Sequence, residues 1–168
     1  WEERQKAQSV ANDLALWETL SLSGESGYLK NKGLGNLAPL PNIRYGNDFV
    51  AALICDIEGT PKGLQKIYPD GSKKFTYGLK KRGSFVTLGE IDPKDPRIYV
   101  DEGVATGLSI QKAIEKYGCA VICALDAGNI EPVVAALRRK YGTQSKCEIV
   151  IAADNDQWKA KKINEQTN

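Results

Sequence analysis

The sequence predicts an α/β protein, α+β overall, in which an N-terminal helix and an antiparallel β-meander precede a parallel sheet flanked by helices. Three observations carry this. Residues 2–22 repeat apolar side chains at helical spacing. Residues 48–90 hold short strand-like runs separated by turn signals. From Ile98 onward, continuous apolar strands alternate with helical patterns, as in a sheet covered on both faces. The 168 residues suit one compact domain or two closely packed subdomains, divided here as 1–95 and 96–168.

In the first helix Ala7, Val10, Leu14 and Trp17 fall on one face. The Gly/Ser break "SGESG" ends it, and "YLKNKGLGNLAPLPNIRYGNDF" reads as a short helical turn and then loop. Gly33, Gly35 and Ala38 match a dinucleotide-binding fingerprint formally, but no strand precedes them and Pro39 follows, so that reading fails. "FVAALICDIEG", "GLQKIYPDGSKKFTYGL" and "GSFVTLG" form the meander, with Pro69-Asp70-Gly71 as a turn. The loop "DPKDP" at 92–96 marks the boundary. "RIYVDEG" is then a strand, Val104 to Tyr117 a helix, and "CAVICALD" a second strand. Asn129 is the expected cap of a helix running to about Tyr141, with Pro132 tolerated in its first turn. "EIVIAAD" is the third strand, and "QWKAKKINEQ" opens another helix.

Composition removes several kinds of chemistry. Histidine is absent, so Ser-His-Asp and Cys-His sites, His-bearing zinc sites and histidine bases are excluded together. Cys55, Cys119, Cys123 and Cys147 form no CxxC and read as buried free thiols of a reducing cytoplasm, with a four-cysteine zinc site as the remote alternative. The net charge of +2 leaves any nucleic-acid binding to local clusters. No apolar run has the length of a membrane span, and no signal-peptide start is visible. A chain that opens on Trp1 and has no Met reads as a fragment of something longer.

Right-handed crossovers make the later strands run the same way, so the residues leaving them gather along one sheet edge. Those residues are Glu102, Asp126, and Asp154 with Asp156. Asp154 and Asp156 are two apart on an extended segment and point the same way. Like charges so close repel unless a hard divalent cation sits among them, and Mg²⁺ takes such carboxylate oxygens. Helix capping is the competing explanation: it accounts for Asp101 and Asp126 and for one of the two later aspartates, but not for Glu102 plus both.

"YVDEGVATGLSI", "CALDAGN" and "IVIAADNDQWKA" together resemble the Toprim domain, shared by bacterial-type primases, type IA and II topoisomerases and several nucleases. Glu102-Gly103 and Asp154-x-Asp156 match its hallmarks in order and context. The wording "EGVATGLS … LDAGN … AADND", with "GYLKNKGL" and "GLQKIYPDGSKKFTYG" upstream, resembles primases of phages, plasmids and integrated elements over nearly the whole chain. The resemblance implies a Rossmann-like Toprim sheet, C-terminally truncated here, and a primase that makes short RNA primers on single-stranded DNA. Glu102, Asp154 and Asp156 are the implied catalytic set. With Asp126 as a further candidate they would hold Mg²⁺ or Mn²⁺. The implied substrates are ribonucleoside triphosphates and a DNA template, the implied partner is a fused or associated helicase, and the implied location is the cytoplasm. The zinc module of bacterial primases has no counterpart here. A Toprim nuclease using the same acids, or a non-catalytic DNA-binding module of a replication protein, are the alternatives.

Residues 62–82 carry Lys62, Lys66, Lys73, Lys74, Lys80, Lys81 and Arg82 against the single acid Asp70, with Tyr68, Phe75 and Tyr77 interleaved. Such a stretch can track a phosphate backbone and stack bases; lysines guarding a sheet edge are the alternative. With the primase resemblance, Lys66, Lys73, Lys74, Tyr77, Lys80, Lys81 and Arg82 become candidate nucleic-acid or nucleotide contacts. Lys73 and Lys74 are adjacent, so only one can face a groove. Lys30, Lys32 and Arg44 are weaker candidates. Trp17 and Trp158 read as packing residues, and Thr106 and Ser109 as either phosphate contacts or helix surface.

Overall fold

The computed structural model describes residues 1–143 and 146–153. Helix α1 (Glu2–Thr19) starts as expected and ends three residues before the expected 22. Glu2 and Glu3 in its first turn suit the positive end of the helix dipole. Only Trp17 is buried on it, and that ring packs with Ala51, Leu53 and Leu64 of the first sheet. Helix α2 (Gly27–Asn31) is a single short piece whose N-cap, Ser26, accepts from the Leu29 amide through Oγ (3.3 Å). Gly33 and Gly35 follow a helix, not a strand, as their rejection as a dinucleotide motif required.

The first sheet is antiparallel throughout, in the order β1 (Ile43–Tyr45), β2 (Val50–Cys55), β3 (Pro61–Ile67), β4 (Lys73–Phe75). The β3–β4 turn is made by Asp70, whose Oδ1 accepts from Ser72 N (2.9 Å), and by Gly71 at φ 83°. Side-chain alternation splits the sheet. Ala51, Leu53 and Leu64 look toward α1, while Val50, Ala52, Ile54 and Ile67 look into a core shared with the second sheet.

The run "GSFVTLG" departs from expectation. It does not continue the meander. Strand β5 (Val86–Leu88) instead pairs antiparallel with β7 (Ala120–Cys123) of the second sheet. Phe85, Val86 and Leu88 are all buried, and a strand that apolar is satisfied only beside other covered strands. A Cys55–Phe85 bridge joins the two sheets where the chain passes between them.

The second sheet has the order β5-β7-β6-β8, with β6 (Arg97–Asp101) parallel to both β7 and β8 (Glu148–Ile151). The expected parallel arrangement thus holds for its three later strands, and β5 adds an antiparallel edge. Helix α3 (Val104–Ile114) packs Val104 and Leu108 on one face, with Leu88, Val121 and Cys123 and the inner face of the first sheet. Helix α4 (Ile130–Tyr141) packs Val133 and Leu137 on the other face, against Ile98, Val100 and Ile122. Among the described residues no helix is long and apolar enough to cross a membrane.

All four cysteines are free; Cys123 is fully buried and Cys55, Cys119 and Cys147 are half-buried. Burial pushes the Cys55 thiol from its ordinary 9.0 up to about 11. Burial, then the neighbouring Asp101 carboxylate, push Cys123 well above 9.0. A raised thiol pKa keeps the folded protein protonated where the unfolded chain has already ionised. Stability from Cys55 is therefore complete below pH 9 and is lost as pH rises through about 11. Urea midpoints measured across this range should fall, and Cys55→Ala should flatten the decline; an unchanged slope would refute the assignment to Cys55.

Candidate active site

Because β6, β7 and β8 are parallel, their C-terminal ends share one edge. The register sets Asp101 opposite Cys123 and Val100 opposite Ile151. Strand alternation separates two consecutive acids here. Asp101 is wholly buried beneath α3 and beside Cys123. Glu102, the next residue, is half-buried at the strand end, and among the described residues it has no hydrogen-bond or ion-pair partner. Gly103 is the N-cap residue of α3, so Asp101 does not have the capping place allowed for it. Ala152 N donates to Val100 O (2.8 Å), which brings the chain leaving β8 alongside the end of β6. Asp154 and Asp156 follow that segment and, like Trp158, lie outside the described residues. Among the described residues no three carboxylate, cysteine or histidine side chains converge.

Asp126 leaves β7 at the same edge, and both its oxygens are engaged. Oδ1 accepts from Asn129 N (3.0 Å), and Lys81 Nζ donates to Oδ2 (2.9 Å). Asp126 is thus the side-chain cap of the turn Ala127–Asn129 that leads into α4, as the capping alternative allowed. Asn129 occupies the N-cap position of α4, as expected, but its side chain makes no capping bond there. Its amide is 4% exposed and turned inward, donating to Ala124 O (2.7 Å) and Ser84 O (2.8 Å) and accepting from Gly83 N (2.8 Å). The reason is geometric: with Asp126 already serving the turn, the Asn129 side chain is free to satisfy backbone groups where the two sheets meet.

The basic candidates disperse. Lys66 faces α1, where its Nζ meets Asp13 (2.6 Å); Thr76 Oγ1 donates to the same carboxylate (2.6 Å). Lys74 lies opposite Lys66 and rests over the Tyr68 ring (5.2 Å), whereas Lys73, opposite Ile67, takes the other face. Tyr77, 54% exposed, lines a cleft with Gln5 and Gln8 of α1. Lys80 lines a groove with Lys6 and Val10, and Arg82 one with Glu131 and Arg139. Among the described residues Lys81 alone of these candidates pairs with a residue of the acidic edge, while also lying over the Phe75 ring (4.6 Å). The weaker candidates make local contacts: Lys30 with Glu25 (2.7 Å), Lys32 over Tyr28 (5.9 Å), and Arg44 over Trp17 (4.5 Å). Ser109 Oγ donates to Ala105 O (3.0 Å), and Thr106 is exposed on α3.

Sequence reasoning missed two features of this edge. One is the Asn129 clasp, whose only signal was its place in "LDAGN"; the other is Leu125, a non-glycine residue at φ 77° just before Asp126.

No family model matches the chain. It is 31% identical to the DNA primase TraC of Escherichia coli over 153 residues, which is 89% of this chain and 10% of that protein. A second Escherichia coli DNA primase TraC is 32% identical over 132 residues, covering 77% of this chain and 12% of its own length. Two solved structures are similar at 17% identity over 73% of this chain. One is the bacteriophage T7 lagging-strand DNA polymerase interacting with primase domains bound to an RNA/DNA hybrid and dTTP (TM-score 0.48, 62% of that chain). The other is the primase fragment of the bacteriophage T7 primase-helicase protein (TM-score 0.45, 51% of that chain). The chain spans about a tenth of the length of the curated relatives it matches, and over that span it is similar to the TraC DNA primases.

Proposed function

We propose that this chain is the catalytic core of a DNA primase, joining ribonucleotides on single-stranded DNA. The observation that carries the reading is Glu102, a carboxylate without a partner among the described residues, at the C-terminal end of the central parallel strand of a TraC-like segment. Open α/β sheets bind their ligands at that edge. The reaction is attack of a 3′-hydroxyl on the α-phosphate of a ribonucleoside triphosphate, with pyrophosphate leaving.

The donor set fits Mg²⁺ or Mn²⁺, since Glu102, Asp154 and Asp156 offer only hard carboxylate oxygens. A bound cation there would lower the hydroxyl pKa and neutralise charge on the phosphates. Asp154 and Asp156 are assigned to hold it. Glu102 either completes the set or accepts the hydroxyl proton, and no histidine is required for that step. Lys81 supplies positive charge beside the edge for a phosphate of the nucleotide or template. A helicase, fused or associated, is the proposed partner of the whole protein.

The test is incorporation of labelled ribonucleotides on mixed-sequence single-stranded DNA, with Mg²⁺, with Mn²⁺ and with a chelator. Short products that need both template and metal are expected. Shortening of the template would replace the reading by a nuclease. DNA binding that ignores metal, with no products, would leave a binding module.

A further inference from the structure

The loop that joins the two sheets, residues 80–84, is tied to the turn after β7 by side chains of that turn. Asp126 Oδ2 accepts from Lys81 Nζ (2.9 Å), Asn129 Oδ1 from Gly83 N (2.8 Å), and Ser84 O from Asn129 Nδ2 (2.8 Å). The same Asn129 amide grips Ala124 O (2.7 Å), next to Leu125 at φ 77°. A non-glycine residue in that region persists only where its surroundings enforce it. The turn is therefore fixed by a polar network, buried at Asn129 and part-exposed at Lys81–Asp126, that also fixes the loop.

We propose that Asp126 and Asn129 are positioning residues: they hold loop 80–84 against the acidic edge and aim the Lys81 ammonium at a substrate phosphate there. The inference rests on the primase reading above. Lys81 has three donors; one serves Asp126 and two remain for phosphate oxygens. Its contact with the Phe75 ring (4.6 Å) restrains the stem from the other side. The Lys81–Asp126 pair is 37% and 46% exposed, so it orients the ammonium without sequestering it. Asp126 acts here through Lys81, not on the reacting atoms.

The experiment compares the 168-residue chain with Asp126→Asn, Lys81→Gln and the double variant. Asp126→Asn keeps the carbonyl that caps the turn and removes only the charge, so it should fold. Lys81→Gln should raise KM for the nucleotide about tenfold, as expected for loss of a charge-assisted contact. Asp126→Asn should raise KM about threefold, the scale of a part-exposed ion pair. Neither should change kcat or the Mg²⁺ activation midpoint by more than about twofold, and the double variant should match Lys81→Gln alone, since the aspartate has nothing left to position. Additive effects would overturn the proposal. So would a shifted Mg²⁺ midpoint in Asp126→Asn, which would make Asp126 a metal ligand. Should wild type make no primer, the primase reading falls, and amide exchange decides the clasp by itself. Faster exchange at residues 81–84 in both single variants upholds it, and unchanged exchange overturns it.

Discussion

Gly107→Ala is expected to destabilise the fold by about 3 kcal/mol, in the upper part of the range for overpacking a core. The sign opposes helix propensity, by which alanine inside a helix gains roughly 1 kcal/mol over glycine. Gly107 lies in the first turns of α3 and is buried against the sheet. A Cβ there would collide with Cys123 Sγ and stand 2.7 Å from Asp101 Oδ2 and 3.2 Å from Leu88 Cδ1. These neighbours lie on β5, β6 and β7 and are packed in the core, so the conflict pushes α3 away from the sheet or forces those side chains to repack. Because α3 begins two residues after Glu102, that movement would carry the acidic edge with it. Urea unfolding checks the loss. Cys123→Ala in the Gly107→Ala background should restore part of the stability, because it removes the nearest obstructing atom. An alanine variant as stable as wild type would show that α3 does not sit this close.

What was legible in the sequence is local, and what was not is pairing across distance. The apolar runs of β6, β7 and β8 revealed strands and their common direction, because continuous hydrophobic strands joined by helices admit few arrangements. "GSFVTLG" was legible as a strand but not as a member of the second sheet, since nothing within seven residues names the partner. The lysines of the meander were visible as charges. That Asp13, fifty-three positions before Lys66, would claim one of them was not. Asn129 illustrates the same limit: its place at the N-cap of α4 was predicted, but that its side chain would turn inward to Ser84 and Ala124 instead of capping the helix was not. At the acidic edge the order Glu102, Asp126, Asp154, Asp156 was readable. The burial of Asp101 followed only once the sheet's faces were assigned.

Those faces separate the roles of neighbouring acids, and Glu102→Gln exploits the difference. The substitution keeps the size of the side chain and removes its charge. Glu102 has no partner among the described residues and is half-buried, so the unfolding free energy should stay within about 0.5 kcal/mol of wild type. Primer synthesis should fall by about 10²-fold or more, whether the carboxylate accepts the hydroxyl proton or binds the cation. At about 1.4 kcal/mol per decade, that places about 2.7 kcal/mol of transition-state stabilisation on one carboxylate. Glu102→Asp keeps the charge but withdraws it by one methylene, and should recover part of the rate with the same stability. If turnover and stability fell together, Glu102 would be a structural residue like Asp101. If Glu102→Gln synthesised primers at the wild-type rate, the chemistry would have to reside elsewhere on the chain, and the reading of this sheet edge as an active site would fail.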